Sequence, residues 1–338
     1  MPHGWNNVFL VQSSKIDKNG GMEKNNTDIL GQVLNTIRLR GSIFFCSKLS
    51  APWGMTLTTA DHPRFHFVLE GSCYFQSSDM AEPVALQTGD FVLITHGSAH
   101  WIADNPHSER IASDVAAKAY ASGEQIFQGG ETVTRLLCGR FLFDTRNQHP
   151  LLCTLPSHIQ MANIDETKRH WLHQTALLIE HELQQHGAGV GVLVDRICEA
   201  LFVQILRSSN SLKNQHTGFL SALQDPVLNR ALQAIHSQLS HEWTVEELAA
   251  QCNLSRSAFA SRFQQKVGLA PIAYLTLWRM QNALCLLRDT PLSMAQIADH
   301  LGYSSDMALS KAFKRFYGET PGTLRKSMRQ ALLSNNNA

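Results

Sequence analysis

Seven cysteines stand at 46, 73, 138, 153, 198, 252 and 285. They are scattered, odd in number and include no CxxC pair, so they offer the chemistry of single thiols in a reducing compartment, not a disulfide framework or a zinc finger. Cys138 follows Arg135 by three residues and precedes Gly139-Arg140. Cations that close favour the thiolate, the form that oxidants attack. Cys46 lies in a segment of the same texture, which makes Cys46 and Cys138 candidate redox residues. The competing reading makes Cys138 a small buried core residue. No other nucleophile or acid–base constellation is visible, which argues against an enzyme.

A second chemistry, recognition of nucleic acid, is written in a repeat of about 50 residues near the C-terminus. The copies are TVEELAAQCNLSRSAFASRFQQKVGLAPIAYL and SMAQIADHLGYSSDMALSKAFKRFYGETPGTL. Each opens with a capping box, Thr244 with Glu247 and Ser293 with Gln296, in which hydroxyl and N3 side chain satisfy the donors at a helix start. Each places a small residue, Ala249 or Ala298, where a second helix must cross closely. A tight turn and a serine-led helix follow, from Ser255 and Ser304. Core residues are expected at Phe259 and Phe263, and at Leu309 and Phe313. Both copies stop at a glycine, Gly268 or Gly318, with a proline three residues on. The second copy has one more residue between its serine and its apolar pair, so a longer helix start is expected there. Two helices joined by a short crossing turn make a helix-turn-helix, whose second helix enters the major groove. A helical repeat protein is the structural alternative, but two units are too few for a solenoid.

The charge divides to match. Residues 226–338 hold 12 Lys and Arg against 7 Asp and Glu, a net +5, whereas residues 1–225 hold 17 against 21, a net −4. Only one end is suited to phosphate. Residues 1–26 are polar, Asn- and Gly-rich and expected to be disordered. Met22 opens the patterned sequence and is a second candidate for the start of translation. No secretory signal and no membrane span is expected, which points to the cytoplasm.

The elements that must position these groups fall into three stretches. Thr27 to Arg40 reads as an amphipathic helix with Ile29, Val33, Leu34 and Ile37 on one face. From Gly41 to about Asp144, short β-branched and aromatic runs are punctuated by turns every 8–12 positions, the texture of a sandwich or barrel. After Pro156 the chain becomes helical. Glu166–His186 carries Trp171, Leu172, Thr175, Leu178, Ile179 and Leu183 on its apolar face; Val192–Arg207 carries Leu193, Ile197, Leu201 and Ile205. GAGVG at 187–191 separates them, and a polar linker follows. The expected division is 27–156 barrel, 157–224 helical hairpin and linker, and 225–330 DNA-binding domain.

The stretch from Asp225 to Arg325 resembles the DNA-binding domain of the AraC/XylS regulators. The matching segments are WTVEELA at 243–249, LSRSAFASRF at 254–263, YLTLWRMQNALCLL at 274–287, and IADHLGYSS with AFKRFYGETP. The sequence departs from the family pattern at Ala308-Leu309, where an aromatic is common, and at Leu324, which replaces a tyrosine. The resemblance implies seven helices, beginning at about Pro226–Leu239, and two recognition helices in successive major-groove segments. It implies that the first presents Arg256, Ser257, Ala260 and Ser261 to base edges, and the second Asp306, Met307, Ser310 and Lys311. Arg256 is the candidate for guanine. Lys314, Arg315 and Arg279 are expected at phosphate or in core-edge salt bridges, and Arg262 at DNA or in a structural role.

The segment FHFVLEGSCYF…LQTGDFVLITHGSAHWIADN resembles a cupin barrel. His66 and Glu70 match the second His and the Glu of the first cupin motif; Gly89, Gly97 and His100 match the second. Arg64 stands where the first motif has its usual His. Two readings remain: a metal-free barrel whose histidines are satisfied by hydrogen bonds, or a divalent-metal site of His66, Glu70 and His100. RLRGSIFFCSKLSAPWGM, RFHFVLEG, THGSAHW and TRLLCGRF extend the resemblance to AraC-type regulators with an N-terminal cupin. The resulting expectation is an α+β multidomain chain with a cupin-like sensor barrel, a helical hairpin and an all-α domain with two helix-turn-helix motifs. It would act as a transcription regulator, an activator by family, sensing a small molecule, metal or oxidant. Its partners would be double-stranded DNA, an effector, RNA polymerase and a second copy of itself. The alternatives are a cupin metalloenzyme tethered to DNA and a purely architectural DNA binder.

Overall fold

The computed structural model describes residues 27–335 except 125, 128, 132, 145–148, 162–164, 186 and 210–216. Expectations about residues 1–26, and most of the linker at 208–218, fall outside the described residues. Helix α1 (Ile29–Ile37) starts where Asp28 accepts a hydrogen bond from the Gly31 amide at 2.9 Å, and it buries Ile29, Val33, Leu34 and Ile37. It stops at Arg38, which turns left-handed at φ 52°, so Arg40 opens a strand and does not extend the helix as expected.

Among the described residues, ten strands form two five-stranded sheets. The first has the order β1 (Arg40–Ser50), β9 (Val133–Leu142), β3 (Arg64–Glu70), β6 (Phe91–Ile94), β10 (His158–Gln160). The second runs β5 (Val84–Gln87), β4 (Ser72–Ser77), β7 (His100–Ala103), β2 (Gly54–Leu57), β8 (Ile111–Ala112). All pairs are antiparallel except β2 with β8. Strand alternation divides the first sheet between two cores. Val68, Val92, Leu136 and Cys138 pack against Met55, Cys73, Phe75 and Ile102 of the second sheet. Phe65, Phe67, Leu93 and Leu137 face the other way, under helices. Because β10 pairs with β6, the sheet takes a strand from beyond Pro156.

The covering helices are α4 (Glu166–Gln185) and α5 (Val190–Ser208). A Cβ on Gly41 would meet Cys198 of α5 at 2.2 Å, so glycine there lets α5 lie directly on β1. Both helices are rotated from the expected faces. Leu172, Ala176 and Ile179 are buried on α4, and Val194, Cys198 and Phe202 on α5, while Trp171, Leu178 and Leu193 are exposed. Periodicity located each stripe, but which edge of it is covered depends on the neighbouring helix. Two further helices lie in the sheet-rich half, α2 (Ser113–Ala121) and α3 (Pro150–Cys153).

From Phe219 onward the described chain is helical. After α6 (Phe219–Gln224) come seven helices: α7 (Leu228–Ser237), α8 (Val245–Gln251), α9 (Arg256–Val267), α10 (Pro271–Asp289), α11 (Met294–His300), α12 (Asp306–Tyr317) and α13 (Pro321–Asn335). Helices α8–α9 and α11–α12 form the two helix-turn-helix units, with α10 between them.

Candidate functional site

Both capping boxes form as their sequences require. Thr244 and Ser293 accept from the N3 amides, and Glu247 and Gln296 reach back to the cap amides. The turns between paired helices use left-handed residues, Asn253 at φ 54° and Gly302 at φ 71°. Gly302 is also sterically required, since a Cβ there would meet the Ser240 carbonyl oxygen at 2.1 Å. Helix α9 is capped by Ser255 and α12 by Ser305, not Ser304. The two recognition helices are therefore equal, 12 residues each. The additional residue lies in the second turn, which corrects the expectation of a longer helix start.

With Phe259 and Phe263, or Leu309 and Phe313, turned into the core, the opposite face of each helix is available. Arg256, Ser257 and Ser261 are exposed and Ala260 half-buried; Asp306, Met307, Lys311 and Lys314 are exposed and Ser310 half-buried. Met307 is 78% exposed, an apolar side chain suited to a thymine methyl group. Arg256 pairs with Glu246 of α8 at 2.7 Å, a partner that no local pattern indicated.

Other basic residues divide cleanly. Arg262 donates to Asp225 Oδ2 at 2.7 Å, and Lys266 approaches the same oxygen at 3.3 Å. Burial alone would raise the Asp225 pKa, but Arg262, the Val227 and Leu228 amides and Lys266 outweigh it and hold the carboxyl at about 2. Arg262 is therefore a structural clamp. Arg279 donates to the Leu239 and His241 carbonyls, fixing α10 against the chain between α7 and α8. Lys314 and Arg315 are exposed near the end of α12.

In the sheet-rich half, His66 and His100 lie in one buried hydrogen-bonded series. The Ser98 carbonyl can only accept, so His100 donates to it from Nδ1 at 2.8 Å and presents Nε2 as an acceptor. His66 Nε2 then donates to His100 Nε2 at 2.9 Å, leaving His66 Nδ1 to accept from the Cys138 thiol at 2.9 Å. Burial, with each other's charge and Arg64 nearby, holds the His66 pKa well below the usual histidine value. Burial likewise brings His100 down to about 4, against an opposing effect of the Ser98 hydrogen bond. The series is neutral and complete.

That geometry does not fit the three-ligand metal site. The ladder shifts register between Val68 and Glu70, and Glu70 faces Arg135 at 3.6 Å on a largely exposed side chain. His66 and His100 meet through their Nε2 atoms, and Glu70 is engaged with Arg135 instead of joining them. Arg64, which replaces the usual cupin His, donates to the Thr58 carbonyl and adds positive charge near both histidines. Among the described residues no three His, Cys, Asp or Glu side chains are grouped to hold a metal.

The thiol expectation is also corrected. Cys138 is 2% exposed, and burial, with Cys46 and Cys73 adding to it, pushes its pKa well above that of a free thiol. Cys46 sits at about 12, raised by burial and Glu180 more than Arg135 lowers it. Arg135 is engaged with Glu70 and Glu180, and Arg140 with Ser42. Cys138 belongs to the core between the sheets and Cys46 packs against the core under the helices, so the thiols point to opposite faces. Beside Cys138 a crevice lined by Phe45, Met55, Leu57 and Ala117 has room for about one water molecule.

Comparison with known proteins agrees with this arrangement. A cupin family model matches residues 28–209, and a helix-turn-helix domain model matches residues 248–327. The chain is 32% identical to the HTH-type transcriptional regulator AlkR of Acinetobacter baylyi, over 88% of this chain and 99% of that protein. It is 28% identical to the HTH-type transcriptional regulator MtrA of Neisseria gonorrhoeae, over 88% and 98%. It is also 28% identical to the RCS-specific HTH-type transcriptional activator RclR of Escherichia coli K12, over 79% and 85%. No described helix is long and apolar enough to cross a membrane. The chain belongs to the AraC-type transcription regulators that carry an N-terminal cupin domain ahead of a DNA-binding domain with two helix-turn-helix units.

Proposed function

We propose that this regulator is a cytoplasmic, non-catalytic activator of transcription, whose cupin domain responds to a chemical signal and whose α9 and α12 read successive major-groove segments. The observation that carries this reading is the pair of equal recognition helices, each with its core face buried and its polar face open. In it, Arg256 supplies base discrimination, with Ser257, Ala260 and Ser261 permitting close approach. Asp306, Met307, Ser310 and Lys311 line the second groove segment, and Lys314 grips phosphate. Activation would bring RNA polymerase as a partner, in keeping with the name of the Escherichia coli relative.

The signal is a small molecule that enters the crevice over Cys138 and His66. Because that crevice is narrow and α2 contributes Ala117 to it, entry requires α2 to shift. The exposed Trp171 and Leu178 on α4, with Val192 and Leu193 on α5, support a homodimer through the helical hairpin.

Selection of binding sites from a random DNA library with the full chain tests this function. Arg256→Ala should relax the preference at one guanine by about 1–3 kcal/mol. Lys314→Ala should weaken all sequences alike and reduce the salt slope by about 1. The reverse pattern overturns the residue assignment, and failure to enrich any sequence overturns the function.

A further inference from the structure

The first helix-turn-helix unit shares its core with the sensor half, and the second does not. One apolar cluster runs from α1, the first sheet, α4 and α5 through α7–α9 and along α10 as far as Trp278. A separate cluster begins at Met280 and holds Leu284, Leu287, Ile297, Leu309 and Phe313. Helix α10 thus changes allegiance within one turn. Gln281, at that boundary, is fully buried, and neither of its amide atoms has a hydrogen-bond partner among the described residues.

The shared side is fastened by a buried polar series centred on Tyr274. His149, the N-cap of α3, is inserted edge-on against Phe219, Tyr274 and Trp278, with ring centroids 4.7, 5.8 and 6.1 Å away. Its Nδ1 accepts from the Leu151 amide at 3.0 Å, so its hydrogen is on Nε2, directed at the Tyr274 oxygen 3.4 Å away. The phenol donates to His236 Nε2 at 2.7 Å, and His236 Nδ1 donates to Gln32 Oε1 at 2.9 Å. Every link has one donor and one acceptor, and two elements of the sensor half, α3 and α1, are tied through α10 and α7. Around it, the Gln233 amide brackets the Thr27 backbone at 2.8 and 2.9 Å; at the far end of α10, Arg288 pairs with Asp144 at 2.9 Å and Arg38 pairs with Asp289, so the whole length of α10 is tied to the sensor half.

We infer that His149, Tyr274 and His236 are positioning residues that hold the first helix-turn-helix unit in a fixed pose on the sensor. The second unit, packed on the second half of α10, turns against that helix. A change in the sensor then reaches DNA as a change in the relation of α9 to α12, with no remodelling of either recognition helix. This rests on the regulator reading but on no particular signal. The three residues touch no DNA; they act through the orientation of α9.

Distance measurements between spin labels in the full chain test this. Labels carried by a non-native amino acid at the exposed positions Val115, Gln265 and Arg315 leave the native cysteines in place. The 115–265 distribution should be narrow and the 115–315 distribution at least twice as wide. Tyr274→Phe keeps the ring but cuts the series, and should at least double the 115–265 width. Phe263→Leu weakens the same core with the hydroxyl intact; it should lower the melting temperature without that broadening. Equal widths in the unsubstituted chain, or an unchanged 115–265 width in Tyr274→Phe, overturn the inference. Affinity for sheared genomic DNA, read in parallel, separates this outcome from a failure of the regulator reading, which would show as no DNA binding at all.

Discussion

The two helix-turn-helix units are near copies locally and differ in what surrounds them. Each has a capping box, a left-handed turn residue, a serine cap, two core residues four apart and a glycine stop. Around the first unit, the core continues into the sensor half and includes two fully or nearly buried histidines, His149 and His236. Around the second, the core is Leu, Ile, Met, Ala and Phe, with no buried histidine among the described residues. Identical local rules can thus produce one unit whose core is continuous with a larger body and one with a core of its own. Under the proposed coupling, that asymmetry separates the helix the cupin domain positions from the helix that follows.

Acid should expose the difference most strongly. A histidine whose folded pKa is depressed stays neutral in the fold while the open chain takes up a proton near pH 6.5. Its stabilisation is complete above that pH and is lost as the pH falls toward the folded value. Burial brings His236 to about 3 and drives His149 well down, with His236 adding to the latter effect. Each should therefore remove about 1.4 kcal/mol per pH unit below 6.5. Hydrogen exchange between pH 6.5 and 4.5, corrected for intrinsic rates, should show α7, α9 and the first half of α10 losing protection. The two sheets should lose protection too, through His66 and His100, while α11–α13 keep theirs. Uniform loss across both units would erase the contrast.

Core truncation should sharpen it at slightly smaller cost. Phe259→Ala should cost about 3–5 kcal/mol and Leu309→Ala about 2–5 kcal/mol. The first should also lower the melting temperature of the cupin domain, because its cluster is continuous with the helix-covered face of the first sheet. The second should leave the sensor transition in place. Calorimetry distinguishes the two, and a sensor transition shifted equally by both substitutions would argue against separate cores.

The smallest effect concerns Arg256. Its pair with Glu246 is exposed on both sides, and such pairs contribute about 0.2–1 kcal/mol. Glu246→Gln should free the guanidinium and remove a negative charge beside the groove, tightening DNA binding about twofold at low salt. Weaker binding in the variant would instead make Glu246 a positioning partner that aims Arg256 at its base. The second unit has no matching pair, since Asp306 stands where the first has Arg256.

Short-range features were legible because their partners lie within a few residues. Both capping boxes, both glycine stops and the Phe259–Phe263 and Leu309–Phe313 pairs read directly from sequence. Even so, the choice between Ser304 and Ser305 as cap depended on where the turn at Gly302 meets Ser240, a contact 62 residues away in sequence. Glu70 and Cys138 show the other limit. Sequence spacing placed Cys138 beside cations and the cupin resemblance placed Glu70 with His66 and His100, but a register shift leaves Glu70 facing Arg135 and burial reverses the expected effect on the Cys138 thiol.

The sequence by itself determined most secondary elements, the repeat and the faces of α9 and α12 left open, because these depend on hydrogen bonds and apolar spacing within one or two helical turns. Only the tertiary structure decided that His66 bridges Cys138 to His100, that His149 reaches Tyr274 across 125 residues, and that the two equal units have unequal neighbours. Those outcomes depend on which faces are covered and which buried polar atoms find partners, and both are properties of the packed chain.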